Sequence, residues 1–600
     1  MKVSDLLNRI KKYMDFKHCV IRMIMAWCFV CLVEAVVIGI TTEKQLGNIA
    51  YVGEISIGMH MISVILVFIC FYVLLEVLKG KWIEKISLIL MTCLYAFFAV
   101  VQTPDIYFCT GMTALLVFTF AYAFEDVNTA KISVKKRTSR IILVVSGLFF
   151  VVFTGGCTAL RVLAYEAPNF DMGLFSQMFH YMKTTLTMNT TSERDGLLSH
   201  MCVHISPDFY LLLPFYAVFS SPVTLQVMQA VVIALGLIPL MGICKNHGLS
   251  RLEQIFIGAA YCFYPVMSGG CFYDVHENLF LPLFILCLLY FFEKESWRGI
   301  LISMVLLFGV KEDAAIYGVF IALYMLLEKR KTIWKRSVTV IVCCFVYFIF
   351  TTVLLAHIGD GVMTYRFNNM VYGGNGSMLG MVRTVLVNPA YLVKQMFTAE
   401  KLEFLLQTLG SLCFIPLLSK RWTRYILFGP FVLFNLMSDY VYFHNIYFQY
   451  VFGSGALLLY LAVINVADFS PKIRSRAIPM MAAACVMFFG ATVWQRTAIV
   501  QRYTDSYNQT VYENFKEALS LIPEDATVTA TTFLCPALSN HDILYELHYT
   551  DENTEYIALD LRVGSTDYNV ADYLDNLRYE TVYYQTCQIA VFRDLQYSQE

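Results

Sequence analysis

Long apolar runs separated by short polar connectors dominate the chain. A helix crosses hydrocarbon with roughly 20 apolar residues at about 1.5 Å rise each. About fifteen runs approach that length: near 19–41, 55–78, 86–102, 106–123, 141–160, 222–243, 253–272, 279–292, 299–310, 314–327, 337–356, 403–418, 425–437, 446–466 and 477–495. The pattern predicts an all-α polytopic membrane protein. The run from Val20 to Ile40 follows Lys11, Lys12 and Lys17, as a signal peptide would. It is long and no small-residue cleavage site follows, so it reads as the first span.

The distribution of Lys and Arg gives the spans a direction, because cytoplasmic connectors carry the excess of positive charge. With the N-terminus inside, inner segments hold 28 Lys and Arg, and outer loops before the C-terminal tail hold 9. One span more or fewer would place Glu328-Lys329-Arg330-Lys331 or Lys135-Lys136-Arg137 outside. The outer side then receives two long loops, 161–221 and 357–402, and a tail of about a hundred residues. In the first loop, Leu174–Tyr181 and Phe209–Phe219 are expected as interfacial or re-entrant helices.

Three units follow: a module of about four spans over 1–138, a membrane core over 139–498 and a soluble domain over 499–600. The tail reads as a small extracytoplasmic α/β domain. It has a helix through Phe515 and Leu519, strands at Ala526–Phe533, Tyr556–Leu561, Glu580–Tyr584 and Ile589–Phe592, and a helix near Asp572–Leu577.

Composition agrees with a membrane protein, and the cell membrane is its expected location: 58% hydrophobic residues, 15% charged, and mean hydropathy +0.61. The net charge of -1 is unevenly spread, and its pattern serves topology and gives no sign of nucleic-acid binding. Most of the 18 cysteines, such as Cys343 and Cys344, sit in apolar runs and imply no metal framework. Cys535 and Cys587 share the polar tail, where a disulfide is an open question.

Five clusters of reactive side chains fall on the outer side. Asp171, in Asn169-Phe170-Asp171-Met172-Gly173-Leu174-Phe175, either caps the helix that follows or acts as a base at the membrane surface. His204, in His204-Ile205-Ser206-Pro207-Asp208, reads first as a hydrogen-bonding turn residue. Asp274, His276 and Glu277 form either a hydrated hairpin tip or a ligand set that a divalent cation can use. Lys311, Glu312 and Asp313 lie between two short apolar runs, at or below the interface. Charges at membrane depth point to a site or pathway, and the plain alternative is an ion pair of Lys311 with Glu312 or Asp313. The last cluster is Ser438-Asp439 with His444, among the aromatics Tyr440, Tyr442, Phe443 and Tyr447. Arg366 is one of four basic residues in the second long loop, and either snorkels or pairs with a lipid phosphate. None of the clusters contains a phosphate-binding glycine loop, a nucleophile elbow or HExxH zinc spacing.

Taken in order, these motifs resemble the bacterial and archaeal membrane-protein family known as domain of unknown function 2079. The resemblance is carried by Phe170-Asp171-Met172-Gly173-Leu174-Phe175-Ser176-Gln177, His204-Ile205-Ser206-Pro207, Leu212-Leu213-Pro214-Phe215-Tyr216 with Gln229, Tyr273-Asp274-Val275-His276-Glu277 and Val310-Lys311-Glu312-Asp313-Ala314. It continues at Tyr365-Arg366-Phe367, at His444 and at Leu519–Ala530, and covers about 140–600. That family is similar to the C superfamily of glycosyltransferases, which take a sugar from a polyprenyl phosphate. The resemblance implies a GT-C-like core in which Asp171, in the first large outer loop, is the base. Four extra spans before that loop, and Asp208 where an apolar residue is expected, depart from the pattern.

The resemblance therefore implies an inverting glycosyltransferase with a polyprenyl-phosphate-linked sugar and membrane lipids as partners. The acceptor would be an extracytoplasmic glycan, lipid or protein. Lys311, Arg366 and His444, in that order, are expected to meet the leaving phosphate. Asp274, His276 and Glu277 would shape the pocket, and His204, Glu312 and Asp313 would complete the substrate-binding set. No cofactor follows from the motifs, and a divalent cation stays open. A transporter or flippase using Lys311, Glu312 and Asp313 as a charge relay is the alternative; it calls for charges through the bundle's depth and repeat symmetry. A receptor would call for a cytoplasmic output domain.

Overall fold

The structure, a computed structural model, describes residues 16–42, 44–78, 81–194, 196–374, 377–547, 553–562 and 568–597. Lys11 and Lys12 lie outside them. Among the described residues, nine helices are long and apolar enough to cross a membrane. They are Phe16–Thr42, Ile57–Leu78, Trp82–Gln102, Ile106–Ala123, Lys136–Leu163, Pro222–Asn246, Lys331–Ile358, Gln449–Ala467 and Pro471–Ala491. A further apolar pair, Arg251–Phe263 and Pro265–Phe272, is bent by 40° and forms a broken span or a re-entrant segment. Pro265 lacks an amide hydrogen and cannot continue the preceding ladder, so the chain turns there.

The other expected segments are shorter or broken. Leu281–Glu293, Trp297–Phe308 and Ala314–Glu328 are short helices. Residues 403–418 and 425–437 are divided among short helical turns. The protein is thus a polytopic helical membrane protein, with a core that mixes full spans with partial ones. Partial helices place backbone ends and polar side chains inside a protein-lined interior, where lipid does not reach them.

The centre is Phe452–Ala467, a helix buried along almost its whole length. Small residues allow the close approach: a Cβ at Gly453 would stand 2.4 Å from the Tyr317 ring, and one at Gly455 would stand 2.5 Å from Val266. Leu281–Glu293 and Ala314–Glu328 pack around it with the bent pair. The third and fourth spans dock on Pro471–Ala491, where Ala96, Val100, Cys109 and Leu116 meet Met480, Met487 and Phe488. Ile57–Leu78 has apolar side chains exposed around its circumference, as a lipid-facing helix should. Cys28 and Cys31 stand at C-x-x-C spacing within the first span, and both are free thiols.

A hairpin of β1 (Asn189–Thr190) and β2 (Leu198–Ser199) follows the helix Leu174–Thr185. The C-terminal domain adds the helix Ser506–Ser520 and strands β3 (Val528–Ala530), β4 (Leu544–Glu546), β5 (Tyr556–Asp560), β6 (Tyr579–Gln585) and β7 (Ile589–Asp594). The sheet order is β4-β3-β5-β7-β6, parallel through β5 and antiparallel beyond. Strand β4 does not stand out in the sequence, because three residues carry little alternation. The helix expected near Asp572–Leu577 is a single turn, Ala571–Leu574. Cys535 is buried in the domain core and Cys587 is exposed in the β6–β7 turn; both are free, so no disulfide joins them.

Leu174–Thr185, whose first part is expected as an interfacial or re-entrant helix, has its apolar face covered by protein. It buries Leu174, Phe175, Met178, Phe179 and Met182, and Gln177 reaches the C-terminal domain through a 3.1 Å hydrogen bond to the His541 carbonyl. The helix is therefore held between the membrane helices and the tail. Leu213–Val218 does keep an exposed apolar face at Phe215 and Val218.

Candidate functional site

Four loops meet over the ends of the core helices: 169–173, 193–204, 273–277 and 363–366, joined by the aromatic segment 440–450. They enclose a cavity of about 290 Å³, close to the lower limit of roughly 300 Å³ for a small-molecule pocket. Asp171, His204, His276 and Arg366 line it, with Glu193, Arg194 and His200.

Asp171 lies in the turn Asn169–Gly173, which precedes the helix beginning at Leu174. Phe170 has extended backbone angles (φ -86°, ψ 113°), and the helix has no side-chain cap. The capping alternative is therefore not realised. Among the described residues, the Asp171 carboxylate makes no hydrogen bond and no ion pair. Burial and the neighbouring carboxylates of Glu277, Asp274 and Glu193 hold its pKa well above the usual carboxylate value, with His200 opposing them.

Arg366 faces the same space. Its guanidinium donates to the Tyr450 hydroxyl at 3.1 Å and lies 4.9 Å from the Tyr440 ring centre, 5.5 Å from that of Tyr450 and 5.9 Å from that of Phe443. The Ser438 hydroxyl donates to its backbone carbonyl, which pins the loop. No carboxylate pairs with Arg366 among the described residues. An aromatic box fixes the guanidinium plane and leaves its charge for an anion.

Three histidines each meet a carboxylate through Nδ1. His200 stands 2.9 Å from Glu193, His204 3.0 Å from Glu312 and His276 3.0 Å from Glu277. Burial lowers the pKa of His200, but the Glu193 carboxylate outweighs it and the net direction is up, whereas burial prevails at His276 and lowers its pKa to about 4. Behind this wall, Lys311 is buried 3.1 Å from Glu277. The plain alternative, an ion pair of Lys311 with Glu312 or Asp313, is replaced by a cross-link to another loop, and Glu312 is taken up by His204 and the Ile205 amide. Asp313 precedes the helix Ala314–Glu328 without capping it, and burial raises its pKa to about 6.

Asp274, His276 and Glu277 do not converge as a ligand set. Asp274 accepts from Arg161 at 2.8 Å and from Gln226 at 2.6 Å, and Glu277 carries the Lys311 ammonium. Among the described residues no three His, Cys, Asp or Glu side chains are grouped to hold a metal. His444 stands apart from the cavity, buried with Nε2 3.6 Å from Glu400. Lys311 and His444 are therefore not on the cavity wall, and Arg366 is.

Sequence reasoning missed Glu193, Arg194, His200 and Arg161. A Glu-Arg pair in a polar loop carries no periodic or motif signal, and Arg161 reads as the end of a span. Asp208, to which no role was given, is buried with its carboxylate against Gly309, where a Cβ would stand 2.2 Å from Oδ1.

No curated protein matches the sequence. Among solved structures, the fold is similar to the crystal structure of ArnT from Cupriavidus metallidurans in the apo state, with 12% identity and a TM-score of 0.44 over 76% of this chain and 98% of that one. The family model described as "Predicted membrane protein (DUF2079)" matches residues 159–588, which takes in every cavity loop, and the chain belongs to that family.

Proposed function

We propose that the protein is an inverting membrane glycosyltransferase using a sugar carried on polyprenyl phosphate. Asp171 takes the proton of an acceptor hydroxyl as that oxygen bonds to the anomeric carbon. The bond from that carbon to the phosphate oxygen breaks, and its electron pair leaves with polyprenyl phosphate toward Arg366. Phosphate departs as an anion, so no second carboxylic acid is required, in contrast to glycoside hydrolysis.

One observation carries this reading: a carboxylate and a guanidinium that have, among the described residues, no partner and no carboxylate partner respectively line a single cavity. A base and an anion receptor are the two groups the displacement needs. The raised pKa of Asp171 makes its ionised form a stronger base than a solvent-exposed carboxylate.

The sidedness rests on charge. Leu281–Glu293 runs from the cavity loop at 273–277 to an end where Lys245, Lys294, Lys329, Arg421 and Arg424 gather. The positive-inside tendency makes that end cytoplasmic, with the cavity and the C-terminal domain outside. In this reading residues 1–138 are an added module, 139–498 the catalytic core and 499–600 an extracytoplasmic domain, and the acceptor belongs to the cell envelope.

The test is reconstitution of the full chain in vesicles with labelled polyprenyl-phosphate sugars and envelope acceptors. Transfer of label with release of polyprenyl phosphate is expected. A donor that is neither bound nor consumed overturns the reading.

A further inference from the structure

The loop carrying Asp171 and the neighbouring segment 189–194 are both fastened to the C-terminal domain, more than 300 residues later in the chain. Asn169, fully buried, uses its side-chain amide twice: it donates to Glu546 Oε2 at 2.9 Å and to the Ser192 carbonyl at 3.1 Å. Its backbone amide donates to Thr532 Oγ1 at 3.1 Å. In the neighbouring segment after β1, Thr191 Oγ1 donates to the Leu544 carbonyl at 2.8 Å and accepts from the Leu544 amide at 3.0 Å, so that it takes up both backbone groups of a residue on the edge strand β4. Gln177 ties the same knot, accepting from the Thr191 amide at 2.9 Å.

These anchors sit beside the cavity residues in sequence. Asn169 is two positions before Asp171, and Ser192 immediately precedes Glu193. The packing leaves little slack, since a Cβ at Gly173 would stand 2.5 Å from Asn169 Oδ1 and 3.1 Å from Cys535 Cβ. Arg562 completes the dock by donating to the carbonyls of Ala164 at 3.0 Å and Tyr165 at 2.6 Å. Buried hydrogen bonds of this kind fix geometry, because breaking one leaves a desolvated polar group.

We propose that the C-terminal domain is the positioning element of the cavity, with Glu546 and Asn169 as positioning residues that set Asp171 through their shared hydrogen bond. The domain is then part of the site's machinery, and any movement of β4 reaches Asp171 and Glu193 directly. The chemical consequence drawn here rests on the glycosyltransferase reading; the mechanical one does not.

The test uses full-length protein in two measurements. Hydrogen exchange of Glu546→Ala is expected to speed up at 169–194 and leave the membrane helices unchanged, while Glu546→Gln, whose amide oxygen still accepts from Asn169, stays close to the parent chain. If Glu546→Ala loosens the whole C-terminal domain, Thr191→Val, which removes the Leu544 contacts from the other partner, supplies the same comparison. Unchanged exchange at 169–194 in both variants overturns the proposal. In the transfer assay, Glu546→Ala is expected to lower kcat about tenfold with little change in donor KM and to shift the pH at which transfer begins. A drop confined to KM, with the pH profile fixed, also overturns it. Loosened exchange in a protein whose parent chain transfers no sugar supports the positioning role and counts against the glycosyltransferase reading alone.

Discussion

Lys311 and Glu277 form an ion pair of 3.1 Å with both side chains buried, and it joins the loop before Ala314–Glu328 to the loop before Leu281–Glu293. Glu277 in turn holds His276, which lines the cavity. The pair is therefore the base on which one wall of the cavity stands. Lys311→Met is expected to destabilise the fold by about 3–5 kcal/mol, because it leaves a buried carboxylate without its counter-charge. Lys311→Met with Glu277→Gln should recover most of that loss. Thermal unfolding in detergent of both variants and of Glu277→Gln alone checks this; a double-variant loss equal to the sum of the two single losses would show that the pair carries no coupling.

Gly173 lies where the Asp171 turn meets the C-terminal domain, with Asn169 and Cys535 both inside the space a methyl group would take. Gly173→Ala is expected to cost about 1–3 kcal/mol through overpacking. A melting temperature equal to that of the parent chain would contradict the tight dock.

Arg366 owes its place to the rings of Tyr440, Phe443 and Tyr450, and its charge has no carboxylate partner among the described residues. Arg366→Ala is expected to lower turnover about a hundredfold, as loss of a charge-stabilising donor does. Arg366→Lys should fall between, since it keeps the charge and loses the planar fork. Equal activity of all three would remove Arg366 from the phosphate's path.

The pH profile follows from Asp171. Its pKa is raised in the folded protein, and only its ionised form accepts a proton, so transfer should rise with pH through that raised value. The acidic limb is therefore expected above the ordinary carboxylate range. A limb near pH 4 would mean that Asp171 is not the titrating base.

The sequence made the spans legible because lipid-facing helices such as Ile57–Leu78 must be apolar around their whole circumference. It was less informative about residues 403–437, whose apolar content resembles a span but whose backbone is broken into short turns inside the protein. Packing there depends on partners distant in the chain. The same distinction holds at the site. Asp171, His204, His276 and Arg366 stood out as polar residues bordering apolar runs, and all four line one cavity. Lys311 was equally conspicuous, but the choice between facing the cavity and pairing with Glu277 is made by tertiary geometry. Glu193 and His200 were hidden in a loop that is already polar, where one more acid and one more histidine carry no signal. The anchoring of the Asp171 loop by Glu546 joins positions 377 residues apart and has no local trace.

The central claim, that Asp171 is the base in a cavity that also binds the donor phosphate, is tested most directly by donor binding and turnover in Asp171→Asn. Reconstituted beside the parent chain with labelled polyprenyl-phosphate sugar, this variant is expected to bind the donor with similar affinity and to lose transfer by at least about a hundredfold. Transfer at the parent rate in Asp171→Asn would contradict the account.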